Sequence, residues 1–356
     1  MSASTSLVAE APLLTLTDAG LYCPAGDFHI DPWRNVARAV ITHAHGDHAR
    51  PGSAAYLGAE TGLPLLTRRL GADAAIETLA YGATRRIGSV DVSLHPAGHV
   101  LGSAQVRLAH RGRTWVVSGD YKLAPDPTCA PFEPVRCDVL ITESTFGLPI
   151  YRWDPPARIV ADIARWWERN RSEGVASVLF AYALGKAQRI LAGLAQHYGG
   201  SLPGPVFCHG AVERLNEAYR DAGVALPSTQ PVATAPTTTP WGETLVLAPP
   251  SARGTRWVHR FAPFDSGFAS GWMAIRGTRR RASYDRGFAL SDHADWEGLN
   301  AAIAAADPEE VWVTHGYRDE LVRWLGERGR RAQAIATHFE GEAGAEMPLG
   351  GNEIPA

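Results

Sequence analysis

The stretch "VITHAHGDHARPG", Val40 to Gly52, crowds His43, His45, Asp47 and His48 into six residues directly after a short apolar run. Imidazole nitrogens and carboxylate oxygens are the usual zinc donors where thiolates are absent. In the pattern His-x-His-x-Asp-His the side chains splay to two sides of one loop. The first two histidines therefore suit one metal ion, and the Asp-His pair suits a second ion close by.

One loop leaves both ions short of ligands, so further donors are expected from other strand ends. The segment "HPAGHVLGS" offers His99 and "WVVSGDYK" offers Asp120, each after an apolar run and beside a small residue. A carboxylate can bridge two ions through its two oxygens, which makes Asp120 the natural shared ligand. His99 would complete the first site. Any one of these histidines alone could be an ordinary hydrogen-bonded residue, but the cluster favours metal binding.

Two segments near the C-terminus repeat the pattern of a strand followed by a histidine and a helix. "ALSDHADW" holds His293 and "VWVTHGY" holds His315. Either one can complete the second metal site, which leaves the other without a metal. A histidine beside two metals can donate a proton if a carboxylate orients it. Glu143 in "LITESTFG" is the candidate partner; its alternative role is a cap of the following turn.

The composition predicts a soluble globular protein with a large core. The chain has 356 residues, of which 45% are hydrophobic and 20% charged, and a formal net charge of -3. This charge gives no overall attraction to nucleic acid, so such binding requires a local basic surface. A signal-peptide pattern and a membrane-length apolar run are both missing, which predicts a cytoplasmic protein without membrane contact. Four cysteines without a CxxC pair, Cys23, Cys129, Cys137 and Cys208, are expected to be small core residues.

The hydrophobic pattern changes along the chain and predicts an inserted domain. Short strand-like runs fill the first region, whereas strand and helix patterns alternate after about residue 149, beginning with the helix-like "DPPARIVADIARWWERN". The strand-then-histidine pattern returns near the C-terminus. We expect an N-terminal part of the first domain at 1–148, an inserted α/β domain at 149–270, the C-terminal part of the first domain at 271–340, and a flexible tail at 341–356.

These residues, in this order, resemble the metallo-β-lactamase fold, and the later ones resemble its β-CASP nuclease group. The resemblance covers about residues 21–339 and implies an α/β fold, an αββα sandwich with an inserted β-CASP cap domain. Asp31 in "FHIDPW" is similar to the first motif of the fold, and "THAHGDH", His99 and Asp120 to the next three. Glu143, His293 and His315 match the three extra motifs of the β-CASP group, and "ALGKAQR" resembles a stretch of its cap.

The resemblance implies a role for each matching residue. His43, His45 and His99 would bind one Zn²⁺, and Asp47, His48 and His315 the other, with Asp120 bridging; Mn²⁺ is an alternative in assays. Asp47, Asp120, Glu143 and His293 would form the catalytic set. Within it, His293 would be the proton donor and Glu143 its orienting partner. Asp31 would brace the metal loop.

Within the β-CASP group, "TFGLPIYRWDPP" and the compact length look like the bacterial ligase-associated DNA exonucleases. This implies a two-metal-dependent exonuclease that hydrolyses DNA, single-stranded or at strand ends, in repair beside a DNA ligase. His315 complicates the choice, because the DNA cross-link-repair members usually lack a histidine there and the RNA-processing members have one. An RNA-processing ribonuclease therefore stays open, as do a small-molecule metallo-hydrolase and a non-catalytic scaffold.

Four residues are candidates for substrate binding. Lys186 and Arg189 begin a predicted helix, whose N-terminus with two cations suits a phosphate. Arg276 opens the basic run "RGTRRRASYDRG", and Tyr182 can stack on a base. Each has an ordinary alternative: a solvated helix start, a solvated charged face, or core packing.

Overall fold

The computed structural model describes residues 12–275 and 284–339. The strands are β1 (Thr15–Thr17), β2 (Gly20–Cys23), β3 (Phe28–Ile30), β4 (Ala39–Val40), β5 (Tyr56–Ala59), β6 (Ile76–Leu79), β7 (Thr84–Ile87), β8 (Val90–Pro96), β9 (Ala104–His110), β10 (Arg113–Val117), β11 (Val139–Ser144), β12 (Ala176–Phe180), β13 (Val206–Cys208), β14 (Gln230–Pro231), β15 (Leu245–Ala248), β16 (Phe264–Ala269), β17 (Arg286–Phe288), β18 (Glu310–Gly316) and β19 (Arg331–Ala334). The α-helices are α1 (Leu63–Leu70), α2 (Pro156–Ser172), α3 (Lys186–His197), α4 (Gly210–Asp221), α5 (Trp296–Ala306) and α6 (Arg318–Gly326). Short 3-10 helices span Glu60–Gly62, Val232–Thr234, Trp241–Glu243, Pro250–Ala252, Arg256–Phe261 and Gly271–Ala274.

Two sheets from the first and last parts of the chain pack face to face. One contains β1 to β6 in sequence order, and the other has the order β19-β18-β11-β10-β9-β8-β7. Side chains alternate across a strand, so Val139 and Ile141 of β11 enter the core between the sheets while Leu140 faces the opposite side. There Leu140 packs with Trp296 of α5 and Leu321 of α6.

On the other side, α1 covers the outer face of the first sheet, where Leu65 and Leu66 pack with Ile41 and Tyr56. The same cluster includes Tyr219 of α4, so the inserted region also rests on α1. Helix, sheet, sheet and helix therefore lie in four layers, a mixed α/β architecture. The first region also carries the helix α1, where the sequence pattern predicted strands alone; this helix spans only eight residues between strand-like runs.

A third sheet forms the core of the inserted region, with the order β14-β13-β15-β12-β16-β17 and parallel pairing throughout. Helix α2 presents Ile159, Ile163 and Trp166, which recur at helical spacing, to this sheet. The predicted alternation of strands and helices in this region is confirmed. The sheet runs past the expected boundary at residue 270, because β17 pairs with β16 through the partners Phe268 and Gly287.

Three of the four cysteines are core residues, as expected. Cys23, Cys137 and Cys208 are buried, whereas Cys129 is half-buried, and all four are free thiols. The expected tail at 341–356 lies outside the described residues. No helix in the described ranges is long and apolar enough to pass through a bilayer.

Candidate metal centre

Seven candidate ligands from distant parts of the chain meet at one edge of the two packed sheets. Strands β4, β8, β10, β11 and β18 all end there, and the polar residues lie at or shortly after the strand ends. No candidate ligand exposes more than 7% of its surface. The ligands brought together are His43, His45, Asp47, His48, His99, Asp120 and His315. The loop signal in the sequence therefore indicated a real spatial cluster.

Four of these residues form a compact first donor set. His43, His45, His99 and Asp120 each place one donor atom within 4.8 Å of the others. His45 Nδ1 lies 3.1 Å from His43 Nε2 and 3.0 Å from His99 Nε2. Burial lowers the pKa of His43 and His99 well below its usual value, and that of His45 to about 4. All three imidazoles are thus neutral at pH 7, the state that metal binding requires.

A second donor set lies on the other side of Asp120. His48 Nε2 is 3.6 Å from both Asp47 Oδ2 and Asp120 Oδ2, while His315 Nε2 is 3.2 Å from Asp120 Oδ1. Within residues 12–275 and 284–339, the buried atom His48 Nε2 has no hydrogen-bond partner, and His315 Nε2 and Asp120 Oδ1 have none beyond their contact with each other. Leaving buried polar atoms unpaired costs free energy. A cation between these atoms would satisfy all of them, so the residues present fit a second metal ion.

The carboxylates around His48 favour a positive charge in this set, which either a proton on His48 or a metal ion that displaces this proton can supply. Burial alone would lower the pKa of His48, but the nearby Asp47, Asp120 and Asp31 carboxylates raise it to about 10. Burial alone would raise the pKa of Asp120, but His48 and His293 hold it well below its usual range. Asp120 is therefore an ionised carboxylate whose Oδ2 faces the first donor set and His48 and whose Oδ1 faces His315, so it lies between the two donor sets.

Asp31 supports the metal loop from behind. Its backbone has a φ of 45°, in the left-handed region that non-glycine residues rarely adopt. Its carboxylate accepts hydrogen bonds from the Thr42 backbone N–H at 2.7 Å and the Thr42 hydroxyl at 2.5 Å, and it contacts His48 Nδ1 at 2.8 Å. These contacts direct His48 Nε2 toward the centre, as a carboxylate behind a ligating histidine commonly does.

Three further contacts to the ligands had no clear sequence signal. His45 Nε2 lies 3.3 Å from the Leu184 carbonyl of the inserted region, and His99 Nδ1 lies 2.8 Å from the Asp292 carbonyl. The ring of Phe339 stacks on His48, with centroids 4.4 Å apart and planes 10° apart. A backbone carbonyl carries no residue-type signal. Asp292 was indicated only by its place before His293 in "SDHAD".

His293 and Glu143 form a buried pair at the same centre. Nδ1 of His293 lies 2.8 Å from Glu143 Oε2, and Glu143 Oε1 also accepts a 2.8 Å hydrogen bond from the Tyr121 backbone N–H. His293 Nε2 faces the centre, 4.0 Å from Asp120 Oδ2. Burial opposes protonation, but Glu143 and Asp120 outweigh it and raise the pKa of His293. This imidazole can hold a proton next to the donor sets, and Glu143, His293 and Asp120 also have donor atoms close enough to hold an ion.

The residues expected to grip substrate are placed differently from the metal ligands. Lys186 and Arg189 are 0% and 5% exposed and pair with acidic side chains, so neither lies on an open helix start. Tyr182 is buried, with Lys186 Nζ 4.9 Å above the centre of its ring. Arg276 lies outside the described residues.

Comparison with known proteins finds several relatives of this chain. No family model matches the chain. A protein of Opitutus terrae named "Probable DNA ligase" is 32% identical over 327 residues, 91% of this chain and 31% of its own length. A ribonuclease of Thermus thermophilus is 29% identical over 49% of this chain and 46% of its own length. The endoribonuclease ysh1 of Emericella nidulans is 34% identical over 35% of this chain and 14% of its own length.

The chain thus spans less than half the length of each of these relatives. Among solved structures, a protein of unknown function from Enterococcus faecalis aligns over 86% of this chain and 80% of its own, with a TM-score of 0.56 and 14% identity, which indicates a shared fold. The motif residues lie together at one buried centre, and the relatives are named as ribonucleases and a probable DNA ligase. The chain therefore belongs to the β-CASP group of the metallo-β-lactamase fold family.

Proposed function

We propose that this chain is a metal-dependent phosphodiesterase that hydrolyses DNA, built as an αββα sandwich with an inserted β-CASP cap. The observation that carries the proposal is the position of Asp120. One of its oxygens faces the first donor set and the other faces His315, and His293 with its partner Glu143 stands beside it. A metallo-hydrolase of small molecules needs the metals but has no use for this additional buried pair.

The residues that would hold the metals divide between the two donor sets. His43, His45 and His99 would hold one ion, Asp47, His48 and His315 the other, and Asp120 both. A set rich in imidazole, without thiolates, supports zinc, with Mn²⁺ as a substitute in assays. When bound, such ions supply a hydroxide nucleophile at neutral pH and stabilise charge on the phosphoryl oxygens.

His293 would act as the general acid. Its Nε2 faces the centre, where it would protonate the sugar oxygen that leaves when the phosphodiester breaks. Glu143 holds Nδ1 as the donor of the other hydrogen bond, so the proton available for transfer is fixed on Nε2. The Tyr121 backbone N–H fixes Glu143 in turn. The two side chains act as one unit, with Glu143 as the orienting partner.

The extent of the relatives' matches favours DNA over RNA. The relative whose name refers to a DNA ligase matches 91% of this chain, which includes most of the cap. The relatives named as ribonucleases match 49% and 35%. In this proposal the cap would close over the substrate, so similarity across it supports a shared substrate class. An RNA-processing ribonuclease is the second candidate, and it is favoured by His315.

We also propose that the chain acts on single strands or strand ends beside a DNA ligase. The match covers 31% of the Opitutus protein, so more than two thirds of that protein lies outside the matched segment. A nuclease that trims ends supplies the substrate that a ligase needs, which gives the two activities a chemical reason to work together.

A paired digestion tests the proposal. DNA and RNA oligonucleotides of one sequence, labelled at either end, are incubated with the purified chain in Zn²⁺ and in Mn²⁺. We expect stepwise shortening of the DNA, with the RNA cut more slowly, and the ladder gives the polarity. Faster cutting of RNA would favour the ribonuclease alternative, and inertness on both substrates would contradict a nuclease.

A further inference from the structure

A buried cluster of five charged side chains lies beside the metal centre, where the inserted region meets the packed sheets. No side chain in it is more than 6% exposed. Two members come from α3 of the inserted region and three from loops of the packed sheets. The members are Lys122, Asp126, Lys186, Arg189 and Asp292.

Arg189 is the member that joins the two carboxylates. Its Nε lies 3.4 Å from Asp126 Oδ2 and its Nη1 lies 3.2 Å from Asp292 Oδ1, while Nη1 also donates to the Ser291 carbonyl. A guanidinium presents its donors in a rigid planar fork, so it can fix two acceptors at a set distance. Lys122 donates to Asp126 at 2.6 Å from the other side.

The cluster is connected to the predicted ligands through short backbone links. Asp292 directly precedes His293, and its carbonyl is the 2.8 Å partner of His99 Nδ1. The carbonyl of Leu184, two residues before Lys186, is the partner of His45 Nε2. Displacing the Asp292 carboxylate would therefore turn the rings of a ligand and of the proton donor together.

The Lys122 end of the cluster has similar links. Lys122 follows Asp120 by two residues, and its backbone N–H donates to the Ala97 carbonyl at 3.1 Å, two residues before His99. The loops that carry Asp120 and His99 are therefore tied to each other and, through Asp126, to Arg189.

We propose that Arg189 is a positioning residue, which holds Asp292 so that the His99 and His293 rings keep their orientation toward the metal centre. The other role for this cation is a phosphate ligand. To bind phosphate it would have to release Asp126 and Asp292, so each buried carboxylate would lose one of its two cationic partners and keep only a lysine. The inference rests on the proposed function only for its kinetic readout.

The test uses the full chain and the variants Arg189→Gln, Arg189→Lys and Asp292→Asn. Arg220→Gln is the matched control, because Arg220 pairs with Glu213 within the same inserted region and away from the centre. Each protein is freed of metal and titrated with Co²⁺, whose visible absorption reports ligand geometry. Turnover and KM are then measured on a labelled single-stranded DNA oligonucleotide.

Loss of a group that orients a metal ligand typically costs about 10–100-fold in metal affinity or activity. We expect Arg189→Gln and Asp292→Asn to change the Co²⁺ spectrum and to lower kcat by about 10–100-fold, with KM nearly unchanged. Arg189→Lys keeps the charge and should recover part of both readouts. Arg220→Gln should match the unmodified chain. If Arg189→Gln fails to fold, Arg189→Lys and Asp292→Asn decide by the same readouts.

Two results would overturn the inference. An unchanged Co²⁺ spectrum in Arg189→Lys and Asp292→Asn would mean that the cluster does not set ligand geometry. A raised KM at constant kcat, with the slope of binding against salt reduced by about one, would identify a phosphate contact instead. If the unmodified chain cuts neither DNA nor RNA, the proposed function fails, and the Co²⁺ spectra still decide on Arg189.

Discussion

His293 Nδ1 lies 2.8 Å from Glu143 Oε2, and both side chains are buried. The two residues are separated by the whole inserted region, yet they meet beside Asp120. In the proposed mechanism this pair distinguishes the centre from a plain two-metal site, because it would supply a fixed proton donor.

Replacing His293 with alanine should separate chemistry from metal binding. We expect His293→Ala to lower turnover by about 10²–10⁴-fold, the usual effect of a lost general acid, with metal content nearly unchanged. Turnover is measured on a labelled oligonucleotide at saturating metal, and metal content by elemental analysis. His197→Ala, at an exposed position at the end of α3, is the control. Full activity in His293→Ala would exclude the proton-donor role.

Replacing Glu143 with glutamine should weaken the proton-donor function of His293 while keeping its ring in place. A glutamine oxygen can still accept from the Tyr121 N–H, but its NH₂ group would then donate to Nδ1 of His293. Nδ1 could then carry no proton, so the positively charged form of His293 would lose its support. We expect a loss of about 10²–10⁴-fold in turnover with little change in metal content. If Glu143→Gln loses its metal instead, Glu143 is a ligand and not an orienting partner.

The buried carboxylate of Asp126 should make stability depend on acid. Burial would raise the pKa of Asp126, but Lys122 and Arg189 lower it below the unfolded value of about 3.9. The unfolded chain therefore binds more protons in acid than the folded chain does. The contribution of Asp126 to the free energy of unfolding is present above about pH 4 and is lost as the pH falls through the folded pKa. Asp126→Asn should destabilise the fold by about 3–5 kcal/mol at pH 7, with a smaller difference below pH 4.

Urea unfolding at several pH values measures this effect. Asp221→Asn is the matched control, because Asp221 pairs with Arg68 on the surface, where such pairs contribute about 0–1 kcal/mol. If Asp126→Asn lowers the free energy of unfolding by the same amount at pH 7 and pH 3, the ionised state assigned to the Asp126 carboxylate is contradicted.

Phe339 should stabilise the second donor set. Its ring stacks on His48 and approaches His315 with centroids 5.8 Å apart. We expect Phe339→Ala to weaken metal binding at this set by about 10-fold, because His48 gains rotational freedom. Competition with a chelator measures the affinity. His338→Ala is the control, since His338 stacks on Trp33 and not on a candidate ligand. Equal affinity in Phe339→Ala and the unmodified chain would rule out this role.

Much of the candidate metal centre could be predicted from the sequence, because its donors lie at or shortly after the ends of apolar strands. Strand ends at one edge of packed sheets come together, so His99 and Asp120 could be grouped with His43 from the sequence. Residue type and position left His293 and His315 as alternatives for the second site. The resemblance to the β-CASP group assigned His315 to the metal and paired His293 with Glu143.

The contacts between the inserted region and the metal centre could not be predicted in the same way. Lys186 and Arg189 begin a helix, and the sequence does not show whether that helix start faces solvent or another domain. In the structure both are buried and paired with Asp292, which no pattern in "SDHAD" marked as their partner. Contacts made by backbone carbonyls, such as that of Leu184 to His45, leave no trace in residue identity. The extension of the third sheet to β17 depends on pairing across a long connection.

Metal depletion and restoration, followed on end-labelled single-stranded DNA, most directly tests the claim that this centre cuts phosphodiester bonds. The chain is stripped with a chelator, assayed, resupplied with Zn²⁺ or Mn²⁺, and assayed again beside Asp120→Ala. We predict no cutting by the stripped chain, restored cutting after metal is added, and none by Asp120→Ala under any condition. Cutting that survives chelation, or that persists in Asp120→Ala, would contradict it.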